Sequence, residues 1–199
     1  MFIRRENFKQ YIKLYPIVSA IIAINFIVFI ITLIPGIGEE ILYAGMSVNA
    51  FIAAGEWWRI ITSMFLHSGF AHVLFNMFSL FLFGPELEKI AGKMRFLTIY
   101  FLAGIFGVAA TFLLEDPYYA SVGASGAIYG IFGAFAALVY YTRNSFPQLK
   151  QIILPIIVIS VIMTFLTPNI NITAHLGGLA TGFILGFVYF NSKNMLRWR

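Results

Sequence analysis

Six apolar runs recur along the chain, near residues 16–34, 72–83, 96–114, 123–141, 152–166 and 172–190, and no Asp, Glu, Lys or Arg interrupts any of them. Most approach the roughly 20 residues that a helix needs to cross a hydrocarbon layer. A backbone in lipid must satisfy its own N–H and C=O groups, which leaves helices or a closed barrel. Barrel strands alternate apolar with polar residues, and Phe26-Ile27-Val28-Phe29-Ile30-Ile31 does not. The pattern predicts an all-α, polytopic membrane protein, a six-transmembrane-helix bundle. The second run is short, although apolar residues from Ile60 to Leu66 precede it. Pro155 falls near the start of the fifth, where proline is best tolerated.

Composition changes the picture by excluding alternatives. Of 199 residues, 60% are hydrophobic and 11% charged, against about 25% charged in an ordinary soluble domain. A soluble chain of this size has too little interior to hide that apolar surface, and disorder requires the opposite balance. Cysteine is absent, which removes disulfides, thiolate metal sites and a cysteine nucleophile. The net charge of +5 does not mark a nucleic-acid binder, because the 13 Lys and Arg are dispersed.

Their positions encode orientation instead. With the amino terminus in the cytoplasm, twelve of the thirteen cations fall on the inner side, among them Arg4, Arg5, Lys89, Arg95, Arg143 and Lys193, and only Arg59 falls outside. Formal charge is then +9 inside and −4 outside. The positive-inside rule, which counts cations, places both termini in the cytoplasm. The expected organisation is a short basic segment over residues 1–15, a membrane domain over 16–190 and a basic tail over 191–199. The first run exceeds the usual signal-peptide core of about 7–15 residues and reads as a retained helix.

Polar residues inside a membrane are costly, so those that can meet across helices are candidates for chemistry. The stretch Gly123-Ala124-Ser125-Gly126 opens the fourth run. A serine at a helix start, flanked by glycines, offers an attacking hydroxyl beside unpaired backbone N–H groups. Ser125 precedes Arg143 by 18 residues, and His175 precedes Lys193 by 18. At about 1.5 Å per residue both lie roughly 27 Å above the inner boundary, just beneath the outer edge of the hydrocarbon layer. Ala174, Gly178, Gly182 and Gly186 form a small-residue stripe on the sixth run, and Gly126, Gly130 and Ala134 form one on the fourth. Such stripes let two helices approach closely, which would bring the Ser125 hydroxyl within reach of His175. In the second run His72 and Asn76 stand four apart on one face, two donors suited to a developing oxyanion together with the Ser125 N–H.

These residues resemble the rhomboid family of intramembrane serine proteases. The resemblance is carried by Gly123-Ala124-Ser125-Gly126, by His67, His72 and Asn76 in the pattern H-x4-H-x3-N, by Ala174-His175 with Gly178 and Gly182, and by Trp58-Arg59, over about residues 16 to 190. It implies a fold of rhomboid type, Ser125 as nucleophile and His175 as general base without an acidic third member. His72, Asn76 and the Ser125 N–H would form the oxyanion hole, with Tyr129 packed on His175, and Gly123 and Gly126 in support. His67 and Gly69 would shape the entry to the second helix. The segment from Pro35 to about Leu66 would lie partly in the outer leaflet, with Arg59 making internal hydrogen bonds, and a gate would lie between the second and fifth helices.

The expected partners are transmembrane protein substrates and the lipid bilayer, with no cofactor and no metal. The setting expected is the plasma membrane of a prokaryote. A non-enzymatic relative that binds membrane-protein clients is the alternative reading, although such a protein needs neither nucleophile nor base. A transporter would show ionisable residues near the midplane or broken helices in repeated halves, and the sequence shows neither.

Overall fold

The computed structural model describes residues 4–191, so most of the tail expected at 191–199 lies outside the described residues. Among the described residues five helices are long and apolar enough to cross a membrane: α6 (Phe70–Ala91), α7 (Lys93–Leu114), α8 (Ser125–Thr142), α9 (Pro147–Leu166) and α10 (Ile172–Tyr189). A sixth span exists if α1 (Phe8–Leu14) and α2 (Pro16–Thr32), bent by 111° at Tyr15, are counted together. Alone, α2 has 17 residues and reaches about 26 Å. Each apolar run of the sequence falls on one of these helices.

Two boundaries differ from the expectation. The second helix does not stop at Phe83 but continues through Pro85 to Ala91. Glu88, in the charged stretch beyond the apolar run, is nonetheless buried, because its carboxylate accepts from the Ile17 N–H at 3.1 Å and the Val18 N–H at 2.9 Å. Those are orphan donors of the first turn of α2. The fifth helix begins at Pro147 rather than Ile152, so Pro155 lies in its interior. Gln148, Lys150 and Gln151 broke the apolar run without breaking the helix.

The core is built on α8, which is buried along most of its length between α10, α7, α6 and α9. Its contact with α10 is backbone against backbone. A methyl group added at Gly178 would lie 2.0 Å from the Gly126 carbonyl oxygen, and one at Gly182 would lie 1.9 Å from that of Gly130. No side chain fits there. The opposite case is α9, of which only Ile153 and Thr164 are buried.

The long connection after α2 folds into α3 (Ile37–Gly45), α4 (Asn49–Ala53), α5 (Arg59–Thr62) and a 3₁₀ turn at Ser63–Phe65. Arg59, 3% exposed, donates to the Tyr43 and Met46 carbonyls at 2.7 and 2.8 Å, pairs with Glu56 at 2.6 Å, and stands over the Phe51 ring. These are the internal bonds expected of it. Trp57 and Trp58 remain exposed. The only strands among the described residues form a short antiparallel ribbon, β1 (Ser47–Val48) on β2 (Ala120–Ser121). It ties the connection to the segment that leads into α8. Asn49 fastens the same place by donating to the Thr111, Glu115 and Asp116 carbonyls at the end of α7.

Candidate active site

The starts of α6, α8 and α10 meet at one end of the bundle. A cavity of about 540 Å³ opens there, and Ser125, His175, His72, Asn76 and Tyr129 all line it. Its far wall comes from α9 and the following loop, through Ile159, Ser160, Met163 and Asn169. The four polar residues singled out in the sequence therefore share one chamber.

Ser125 is the first helical residue of α8, and the N-cap position falls on Ala124. A purely capping role for this serine is thereby removed. Near it, Ile128 N–H bonds back to Ala124, while the backbone donors of Ser125, Gly126 and Ala127 precede the first intrahelical bond. Gly123 turns the chain into the helix at φ +129°, donates to the Ser63 carbonyl at 2.9 Å, and has no room for a side chain. A methyl group there would lie 2.8 Å from the His72 Nε2 and 3.8 Å from the Ser125 Oγ. Glycine is required twice over, by its backbone angle and by the closeness of His72. The same contact shows that the His72 ring edge and the serine hydroxyl flank one small space.

His72 turns its other nitrogen away from that space. Nδ1 is 3.0 Å from the Ser68 Oγ and 3.4 Å from the Ser68 N. A backbone N–H only donates, so this pairing favours the tautomer with the proton on Nε2, facing Gly123 and Ser125. Asn76, one turn deeper, donates through Nδ2 to the His72 carbonyl at 2.9 Å and keeps a face on the cavity.

His175 is 6% exposed. Its ring stacks on Tyr129 with centroids 4.0 Å apart and planes within 17°, which is the contact expected of that tyrosine. Among the described residues no hydrogen bond joins Ser125 Oγ to His175; the two face the same cavity without bonding. Catalytic contacts of this kind often close only around substrate. His67 stays outside the chamber. It is 2% exposed, and its ring meets the His72 ring edge-on at 5.0 Å.

Sequence reading missed two polar groups. Thr164 of α9 lies 3.0 Å from His175 Nδ1 and 2.5 Å from the Tyr129 hydroxyl, which itself donates to the Ser160 carbonyl at 2.6 Å. Asn171 caps α10 through Ala174 N and donates to Thr111 at 3.0 Å and Ser121 at 3.1 Å, fixing the height at which His175 enters the bundle. A lone threonine in an apolar helix carries no sequence signal. Asn171, placed just before the sixth run, does carry one as a cap.

Comparison with known proteins gives a consistent picture. The family model described as the Rhomboid domain matches residues 54–192. The putative rhomboid protease YdcA of Bacillus subtilis (strain 168) is 41% identical over 196 residues, covering 97% of this chain and 98% of that protein. The rhomboid protease GluP of the same organism is 40% identical over 146 residues, covering 73% of this chain and 28% of the relative. RHOMBOID-like protein 5 of Arabidopsis thaliana is 39% identical over 149 residues, covering 72% and 48%. The chain belongs to the rhomboid family of intramembrane serine peptidases.

Proposed function

We propose that this protein hydrolyses peptide bonds of transmembrane protein substrates with a Ser125–His175 dyad near the outer face of the membrane. One observation carries the reading: Ser125, His175, His72 and Asn76 line a single cavity, with the glycine at 123 wedged between His72 and Ser125. His175 Nε2 takes the hydroxyl proton as Ser125 Oγ attacks the scissile carbonyl, and the imidazolium returns it to the leaving amine. Charge on the tetrahedral oxygen is met by the Ser125 N–H, by His72 Nε2–H and by the free amide hydrogen of Asn76. Water then enters the cavity, gives its proton to His175 and releases the acyl group.

Both termini face the cytoplasm in this reading, because the cation-rich ends of the helices lie opposite the cavity. The working domain is residues 16–190, flanked by basic segments over 1–15 and 191–199, and the membrane is the plasma membrane of a prokaryote. Substrate helices enter sideways between α6 and α9, the least buried helix of the bundle. The decisive experiment labels the detergent-solubilised protein with a fluorophosphonate and measures cleavage of a membrane-embedded substrate. Ser125→Ala is expected to abolish labelling and to lower cleavage by on the order of 10³-fold or more. Undiminished cleavage by that variant would remove the assignment and favour a client-binding role.

A further inference from the structure

A histidine acting as base on a serine needs its lone pair on the nitrogen facing the hydroxyl and its proton on the other. In acid-containing triads a carboxylate holds that second proton. Among the described residues no carboxylate bonds His175, and the group that meets its Nδ1 is the Thr164 hydroxyl at 3.0 Å. Thr164 is 2% exposed, so water does not compete for the contact.

The surrounding bonds restrict what Thr164 can do. The Ser160 carbonyl stands at the i−4 position for the Thr164 N–H and is reached by the Tyr129 hydroxyl at 2.6 Å and by Thr164 Oγ1 at 3.1 Å; its two lone pairs are met by the N–H and the shorter Tyr129 bond, so it is the poorer acceptor for Thr164. Tyr129 has then spent its only proton, and its oxygen, 2.5 Å from Thr164 Oγ1, is free to accept. A hydroxyl carries one donor and two acceptor sites. Thr164 gives its proton to Tyr129 and keeps a lone pair for His175. Every group in the cluster is satisfied by this arrangement, and Nδ1 carries the proton.

Resting on the dyad proposed above, we infer that Thr164 is a positioning residue for the reaction: its hydroxyl accepts from His175 Nδ1–H, fixes the tautomer that leaves Nε2 basic toward Ser125, and stabilises the imidazolium formed during attack. The proton balance is simple. Nε2 gains the Ser125 proton and later returns it, while the other proton stays on Nδ1, hydrogen-bonded to Thr164 Oγ1, throughout. Tyr129 contributes twice, as the stacking partner of the ring and as the acceptor that orients the threonine hydroxyl. A neutral hydroxyl thus occupies the place an acid takes elsewhere, without introducing a charge into a lipid-enclosed site.

The test compares Thr164→Val, which preserves shape, with Thr164→Ser, which preserves the hydroxyl. Hydrogen bonds to charged groups have energies that correspond to about 10- to 100-fold in rate. Thr164→Val should lower kcat and the rate of fluorophosphonate labelling by that factor with KM unchanged, and Thr164→Ser should restore both. Nitrogen-15 spectra of the histidine-labelled wild-type protein should show His175 protonated at Nδ1; this measurement stands even if the valine variant fails to fold. Wild-type rates in Thr164→Val, equal impairment in both variants, or an unprotonated Nδ1 would overturn the inference. Should the wild-type protein itself escape labelling, the dyad falls; should it be labelled while Thr164→Val is labelled equally fast, only the role of Thr164 falls.

Discussion

The two sides of the cavity are held in different ways. Ser125 and His175 stand on α8 and α10, where glycine backbones touch and the contact leaves less than a methyl group of space. Thr164 and the opposite wall stand on α9, which turns most of its Ile, Val and Met side chains outward; Val158, Ile159, Ile162 and Met163 are all more than half exposed or at half exposure. Backbone contact in lipid draws on van der Waals packing over small residues and cannot re-pack. Side-chain contact against lipid can. Ser125 and His175 are thus fixed relative to each other, while the α9 wall is the one able to give way, which suits the substrate entry proposed there.

The most severe way to break this contrast is to fill the rigid seam. Gly182→Leu places atoms where the Gly130 carbonyl oxygen already lies, and it should cost more than the roughly 1–3 kcal/mol of ordinary overpacking. Thermal melts in detergent micelles should show no cooperative transition for this variant. A melt within a few degrees of the parent would show that the seam is not rigid.

A smaller effect comes from tying the weakly packed α9 to α6. The sequence has no cysteine, so Phe75→Cys on α6 with Ile159→Cys on α9, both lining the cavity, can be joined by a bifunctional thiol reagent. Cleavage of a membrane-embedded substrate should fall at least about 10-fold, while fluorophosphonate labelling of Ser125 persists. Unchanged cleavage would place substrate entry elsewhere. The smallest effect belongs to the lipid-facing surface of α9, where Val158→Ala should change stability by less than about 0.5 kcal/mol, measured in the same melts. A large loss there would mean that α9 is held as firmly as α10.

The sequence made this contrast partly legible. Small residues at intervals of four on two helices foretold the seam, because close approach in lipid leaves that signature in composition. Hydropathy located the five spans and the bent sixth candidate, since a charge-free segment reads the same whether it faces lipid, as α9 does, or other helices, as α8 does. It failed at Glu88, Gln148 and Lys150 because helical bonding is local and indifferent to side-chain polarity, so a helix runs on past the last apolar residue. Ser125, His175, His72 and Asn76 were readable from spacing and depth. Thr164 was not, since its meaning depends on a partner eleven residues away in sequence, across a turn whose path hydropathy does not describe. The folding of the long outer connection around Arg59 was foreseen only as internal bonding, because short helices joined by turns leave no periodic pattern.

The carboxylate of Glu88 on the first turn of α2 has a consequence for synthesis. The chain emerges amino terminus first, so the Ile17 and Val18 amides are made about seventy residues before their capping group exists. Until then the Ile17 and Val18 amides have only water or headgroups to bond, which holds that end of the helix at the membrane surface. Arrival of α6 supplies the acid, and the first span is sealed to the rest by a contact that no shorter nascent chain can make.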